Sequence, residues 1–572
     1  MPPSALEALF DAEGETLAIQ GGEELFAVGA APEGLYRVKS GRLAITQPVS
    51  RGGSRLVDVC RPGEIIGAGP MITGQPYDNA ATALRDSELQ RLTKAQIDAV
   101  GQHTDVYAAL ARTALEPDTQ VAGATTPRRA SILGFVAVCD SVAMREMAEG
   151  LAVEMRGLGF KIAVLGRDYL NTSAATLSRL EDEHDFLIMS AERAEGTYTA
   201  FLGRQIDRLI LVGGAESPLP EIPFSFAALA IHRHQLLDLV IVHPADALRP
   251  HETARWLAGA PSARLFHVRR ELRADITRLA RIFTGRSVGL ALSGGGARAY
   301  AHIGVARAMQ ELGVPLDFLA GTSMGGVVAA GLAMGWSLEE LDRRIRQAFV
   351  ETSPLSDIAF PFVAMSRGSL VDARLKAHFG GVQICDLWRP FTCVSTDLTT
   401  GDIHVHRTGP LDRALRATVS LPGVLPPVIE NGHVLVDGAL ARNLPVDLIN
   451  EQHDGFTIGV DVAHANGLTP QDLKLQPSGL RWLTSGAWRR GPPIISVLIR
   501  AATMPTRRAM AASRECAEMI IQPDLEGIEL RNWKAYEPAV EAGYRATMAR
   551  AGELKVYSVN QRVNPDDMAT RP

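Results

Sequence analysis

The alternation of hydrophobic and polar positions changes rhythm three times along the chain. Between residues 20 and 95, apolar residues come in short runs separated by turn signals at Gly21-Gly22, Gly41, Gly52-Gly53 and Pro62-Gly63, the pattern of an all-β domain. A helical stretch over 95–120 follows, and Gly123-Ala124-Thr125-Thr126-Pro127 breaks it as a linker would. From Ser131 the apolar runs lengthen: 132–138, 161–165, 185–189, 208–212 and 237–242, with an amphipathic helix over 142–158 between the first two. Strands that are apolar throughout and alternate with helices predict an open parallel sheet. The third rhythm starts at Ser287, with a strand over 287–292, a helical pattern through Ala301, Ile303, Val305, Ala306, Met309 and Leu312, a second strand over 314–320 and a small-residue helix over 326–334. The expected layout is multidomain: an N-terminal β-barrel with a helical tail (1–120), a middle open α/β domain (128–280), a C-terminal α/β domain (287–555) and a tail (556–572).

Chemistry gathers at the turns of the last domain. Ala320-Gly321-Thr322-Ser323-Met324-Gly325-Gly326 lies between a strand and a helix. Gly-x-Ser-x-Gly at such a junction reads as a nucleophile elbow, in which the serine sits on a sharp turn and glycine on either side avoids collision. Upstream, Ser293-Gly294-Gly295-Gly296-Ala297-Arg298-Ala299 joins a strand to a helix. A glycine loop opening a helix offers free backbone N–H groups to an anion, which in a serine hydrolase is the tetrahedral oxyanion. A base for Ser323 is available in Val434-Leu435-Val436-Asp437-Gly438-Ala439, an aspartate ending an apolar strand.

In this order and at this separation, Gly-Gly-Gly-x-Arg, Gly-x-Ser-x-Gly and Asp-Gly-Ala resemble the patatin-like phospholipase family. The resemblance implies an α/β hydrolase domain working through a Ser-Asp dyad, with Ser323 as nucleophile and Asp437 as proton acceptor. It also implies the N–H groups of Gly294, Gly295 and Gly296 as oxyanion hole, and Arg298, Gly321, Gly325 and Gly438 in support. Asp275-Ile276-Thr277-Arg278-Leu279-Ala280-Arg281, Ala301-His302-Ile303-Gly304-Val305 and Asn443-Leu444-Pro445-Val446-Asp447 are similar to the neuropathy target esterase branch. Two departures stand out: Ser293 where a fourth glycine is common, and Ala299 where a glycine usually closes the loop. Alanine rules out positive φ there, which predicts a slightly altered loop.

The branch also carries a cyclic-nucleotide-binding barrel, which 35–45 and 62–67 resemble. Where that barrel has Arg-Ala-Ala-Thr, this chain has Asn79-Ala80-Ala81-Thr82. A cyclic phosphate needs the charged, bidentate fork of arginine, so the barrel is read as kept for packing or assembly, and cyclic nucleotide is not expected as a ligand. The middle domain resembles the nucleotide-hydrolase-like segment of the branch. Its first turn, Cys139-Asp140-Ser141-Val142-Ala143, has no phosphate loop, which leaves a structural or interaction role.

Other candidates were weighed against the dyad. Asp461 is a competing carboxylate, and His302 reads as a helix residue packed behind the glycine loop. Residues 359–365 suit the lining of an acyl-chain pocket and equally suit core packing, and 417–427 carry the prolines and glycine that shape a wall near the site in the enzymes they resemble. Residues 480–495 mix tryptophan, arginine and apolar side chains, which suits a membrane interface and equally suits interior packing. A dinucleotide site at Gly294–Ala299 would need an acid at the end of the next strand, and that strand ends in Ala320-Gly321-Thr322-Ser323 with its acid, Asp317, at the start. A non-catalytic sensor or scaffold, or an autoinhibited enzyme, is the remaining alternative.

Totals narrow the picture. A chain of 572 residues exceeds one core. A net charge of -6 gives no sign of nucleic-acid binding. Five scattered cysteines fit reduced thiols in a cytosol and argue against a disulfide framework. Residues 1–14 show no signal pattern, and no apolar run approaches the ~20 residues of a spanning helix. A cytoplasmic enzyme touching the inner membrane surface peripherally is expected. Its substrate would be a phospholipid or lysophospholipid acyl ester, cleaved with no cofactor and no metal, and a homo-oligomer is compatible with the sequence. A dyad without histidine makes one demand: a free carboxyl titrates near ~3.9, too low for a good base at neutral pH, so the site must raise Asp437 by desolvation or lean on the oxyanion hole.

Overall fold

The computed structural model describes residues 5–48, 54–100, 106, 108–111, 132–218, 236–258, 263–351, 356–357, 364–463, 506–530 and 532–558. They form two compact units, Met1–Val242 with Gly259–Arg264, and His243–Ala258 with Leu265–Pro572.

The first unit opens with β1 (Glu15–Ile19), β2 (Glu24–Phe26), β3 (Gly34–Ser40), β4 (Leu43–Pro48), β5 (Ser54–Cys60), β6 (Ile65–Ile66), β7 (Ala80–Ala83) and β8 (Ser87–Thr93). They pair antiparallel in two four-stranded sheets, β1-β8-β3-β6 and β2-β7-β4-β5. Tyr36, Val38, Leu43, Ala81, Ala83 and Leu89 fill the space between them. An additional helix, Ala5–Glu13, seats Leu6, Leu9 and Phe10 against Leu35, Met71 and Leu92. Of the helical stretch expected over 95–120, the described part begins as the helix Lys94–Val100.

Next come β9 (Ile132–Ala137), β10 (Ile162–Leu165), β11 (Phe186–Ala191), β12 (Arg208–Gly214) and β13 (Leu236–His243), which run parallel in the order β10-β11-β9-β12-β13. Every residue of β9, β11 and β12 is buried, as a sheet covered on both faces requires. Within this unit, barrel and parallel sheet are joined by half-buried charge. Glu181 accepts from Arg85 at 2.6 and 3.0 Å and from Arg42 at 3.2 Å, and Arg42 also pairs with Asp207 at 3.0 Å. Arg42 and Arg85 stand in the turns after β3 and β7, so the barrel is anchored through its turns.

The second unit is built on β15 (Val288–Leu292), β16 (Phe318–Thr322), β17 (Phe391–Asp397), β18 (Ile403–His406), β19 (Val428–Glu430), β20 (His433–Asp437), β21 (Phe456–Val460) and β22 (Met519–Ile521), preceded by β14 (Arg264–Arg269), a strand not expected from the sequence. The main sheet runs β19-β20-β17-β16-β15-β21-β22, with β18 beside β17. Its centre is parallel and its β17-β20-β19 side antiparallel. The second strand begins at Phe318 and not at the expected 314. Pro315 has no N–H to give, and the first bond to β15 comes from the Asp317 N–H to the Val288 carbonyl at 2.8 Å, so the strand is established only from Phe318. Among the described residues no helix is long and apolar enough to cross a membrane. The segment 480–495 lies outside them.

Candidate active site

Strand β16 ends at Thr322 and the helix Met324–Ala333 begins one residue later, so Ser323 carries the whole turn. Its backbone sits at φ 55°, ψ -131°, a region that costs an L-residue about 1–3 kcal/mol. Two bonds hold it there: the Ser323 N–H donates to Thr418 Oγ1 at 2.9 Å, and Thr322 Oγ1 donates to the Arg442 carbonyl at 2.9 Å. The elbow glycines answer to close approach. A Cβ on Gly321 would lie 2.6 Å from the backbone of Gly325, and one on Gly325 would lie 2.5 Å from the Leu292 and Ser293 carbonyl oxygens. Gly438 is pressed the same way, 2.2 Å from the Val394 carbonyl oxygen.

Sheet register brings the carboxylate to the serine. Thr322 pairs with Val394 on β17, and Ser395, its neighbour, pairs with Asp437 at the end of β20. Ser323 Oγ donates to Asp437 Oδ2 at 2.7 Å, while Asp437 Oδ1 accepts the Ala439 N–H at 2.9 Å. Asp437 is 2% exposed. Burial pushes its carboxyl up to about 6, against the opposing pull of those two hydrogen bonds. Among the described residues no histidine bonds to either member. Asp461, the rival carboxylate, is taken up by Arg514 and the Ala463 N–H.

The glycine loop lies against the nucleophile: a Cβ on Gly294 would be 3.0 Å from Ser323 Cβ. Here the structure corrects one expectation. The Gly294 N–H is not free for an oxyanion, because it donates to Asn443 Oδ1 at 3.0 Å. The carbonyl of the same peptide, Ser293 O, accepts from His302 Nε2 at 2.8 Å. Burial holds His302 down to about 4, so it is a neutral donor, and the Ser293–Gly294 peptide is fixed at both ends. The donors left for an oxyanion are the N–H groups of Gly295 and Gly296, for which no acceptor exists among the described residues. Gly296 has φ 55°, and a Cβ there would lie 2.3 Å from the Leu530 carbonyl oxygen. Arg298 supports the loop, Nε donating to the Ile528 carbonyl at 2.6 Å, and the Ala297 N–H reaches the Leu530 carbonyl at 2.8 Å. Ala299 lies buried in the 3-10 turn Gly296–Tyr300 with negative φ, so its missing glycine costs nothing.

Asn443 is thus a positioning residue. Asn443→Ala should lower kcat roughly 10²-fold with KM nearly unchanged, since a loop displaced by an ångström misplaces the oxyanion donors. Steady-state kinetics of the variant check this, and an unchanged kcat would refute it. Of the two segments expected to line an acyl pocket, 359–363 fall outside the described residues. The remainder meets the other: Ala364 bridges Gly423, and the Met365 and Ser366 N–H groups donate to the Gly423 and Val424 carbonyls at 3.0 and 3.1 Å. That wall joins the dyad through the Asp437 N–H, which donates to the Ser420 carbonyl at 2.9 Å. Thr418 and Asn443 were not singled out as site residues from sequence, although both stand inside stretches that were.

Residues 290–449 match the patatin-like phospholipase family, and residues 16–103 match the cyclic nucleotide-binding domain family. An uncharacterised NTE family protein of Mycobacterium tuberculosis is 30% identical over 546 residues, covering 92% of this chain and 90% of its own. Patatin-like phospholipase domain-containing protein 6 of Homo sapiens is 26% identical over 629 residues, 97% of this chain and 46% of its own, and neuropathy target esterase sws of Drosophila melanogaster is 25% identical over 620 residues, 94% and 43%. The chain spans less than half the length of the last two. Similarity to the mycobacterial relative runs through barrel, middle sheet and hydrolase alike, and on that footing the chain belongs to the NTE family, enzymes of the esterase and phospholipase class with a patatin-like domain.

Proposed function

We propose that this chain hydrolyses the acyl ester of a lysophospholipid or phospholipid through a Ser323-Asp437 dyad. The observation that carries the reading is the 2.7 Å hydrogen bond from Ser323 Oγ to a buried carboxylate whose proton affinity is raised to about 6. Asp437 takes the proton as Ser323 Oγ attacks the ester carbonyl, and the Gly295 and Gly296 N–H groups receive the oxyanion. Collapse expels the alcohol, which leaves with that proton, and an acyl-enzyme remains; a water deprotonated by Asp437 then releases the fatty acid. A carboxyl near 6 is mostly ionised at neutral pH yet basic enough to act, a compromise that an exposed aspartate does not reach. The test is release of fatty acid by the purified full chain from a lysophospholipid and from a short-chain aryl ester. Hydrolysis of both supports the reading. Hydrolysis of the aryl ester alone would remove the lipid substrate, and hydrolysis of neither would return the chain to a sensing or scaffolding role.

A further inference from the structure

The end of the catalytic sheet away from Ser323 carries more positive charge than its neighbours neutralise. A cavity of about 380 Å³ opens there, lined by Arg269, Arg278, Arg281 and Arg389 with Asp275 and Asp317 as its carboxylates. Ligand pockets begin at roughly 300 Å³, so the space is adequate for a small molecule. Both carboxylates are already occupied. Asp317 accepts Arg281 at 2.6 and 3.0 Å and the Val288 N–H at 3.1 Å; Asp275 accepts Arg269 side-chain donors at 2.8 and 3.1 Å and its backbone N–H at 2.9 Å. That leaves two guanidinium groups in excess.

Arg278, 6% exposed, gives one N–H to the His267 carbonyl and stands 3.5 Å from the saturated Asp275. Arg389 donates to the Leu332 carbonyl at 2.7 Å and pairs with no carboxylate among the described residues. The C-terminus of the helix Met324–Ala333 offsets part of one charge, since helix ends carry about half a negative charge. A guanidinium has five donors in a planar fork, and most of those on these two groups remain to be met, so the missing partner is an anion with several oxygens. Burial lowers Arg278 to about 10 and Arg389 in the same direction, the signature of cations desolvated without enough counter-charge.

We propose that this cavity binds a phosphate-type dianion, free or carried on a glycerol-like headgroup, between Arg278 and Arg389. The site is separate from the ester-cleaving centre. Asp317 precedes β16 and Ser323 follows it, which puts roughly 20 Å of strand between them. Met334 and Gly335, just past the elbow helix, also line the cavity, so a bound anion would brace the open base of the strand-helix turn that holds Ser323 at its apex. The inference does not depend on which residue is the nucleophile.

Leu248 makes a clean test, being 94% exposed at the cavity's mouth. Isothermal titration of the full chain with inorganic phosphate and with glycerol 3-phosphate, at constant ionic strength in chloride, should show saturable one-site binding. Leu248→Glu should weaken it and Leu248→Lys tighten it, each by about threefold or more, without touching the core. Arg389→Gln, checked for folding by circular dichroism, should weaken it at least about tenfold, the loss of one charge-assisted contact. Tighter binding of glycerol 3-phosphate would identify a headgroup, and equal binding the phosphate alone. Absence of saturable heat with both probes, or binding that neither Leu248 variant nor Arg389→Gln moves, would overturn the proposal.

Discussion

Ser323→Ala is expected to lower kcat by about 10⁴-fold or more, because removing the nucleophile of a serine hydrolase leaves only what substrate binding and the oxyanion donors supply. KM should move little. Substitution does not disturb the Thr418 bond, which is made by the backbone N–H of residue 323, so the elbow should keep its shape. Stability should change less than activity, since alanine inherits the same φ of 55°. Kinetics beside circular dichroism check this. A folded Ser323→Ala chain with native turnover would remove Ser323 from the chemistry.

Asp437→Asn should lose about 10³-fold in kcat, the worth of a well-placed general base, and should at the same time make the chain more stable near neutral pH. In the folded state Asp437 keeps its proton up to about 6, while an unfolded carboxyl releases it near 3.8. Between those values the unfolded chain binds fewer protons, so native stability falls as pH rises across that window, by up to about 3 kcal/mol. Asparagine never ionises. The variant should therefore match the native chain at about pH 4 and exceed it above about pH 6, as read from denaturant midpoints. In the native enzyme, kcat/KM should fall tenfold per unit below about 6 and level off above it. A profile that is flat down to about pH 4 would mean that Asp437 is not the titrating base.

How far the sequence could be read depends on the range of the interactions involved. Strand, Gly-x-Ser-x-Gly and helix are contiguous, and so are the glycine loop and Asp-Gly-Ala; each motif is a local steric requirement that survives without the rest of the fold. The bonds that tune the site are not contiguous. Asn443 lies 149 residues from Gly294, whose N–H it accepts, and Thr418 lies 95 from Ser323, whose N–H it accepts. Nothing along the chain marks those pairings, and this is why Gly294 looked free as a donor. Elements were missed for simpler reasons. Leu6, Leu9 and Phe10 are spaced for one helix face but stand beside a stronger pattern, and 264–269 has only three apolar residues, two of them adjacent, so neither period is marked. Val314 and Leu316 are apolar and suggest an earlier start for β16, whereas Pro315 has no N–H and the first bond to β15 is made by the Asp317 N–H.

The same distinction separates the two charged clusters. Arg42 and Arg85 are matched in number by Glu181 and Asp207 in the first unit, two cations against two carboxylates. The arginines beside Asp275 and Asp317 do not close, although 275–281 had already stood out in the sequence as part of a family motif.

The most direct test of the dyad is labelling with a fluorophosphonate, which traps an activated serine, followed by mass spectrometry of the digested full chain. The result expected is a single adduct on Ser323, formed more slowly below about pH 6 as Asp437 takes up its proton and nearly absent in Asp437→Asn. An adduct on another serine, or labelling of Ser323→Ala at the native rate, would contradict the assignment.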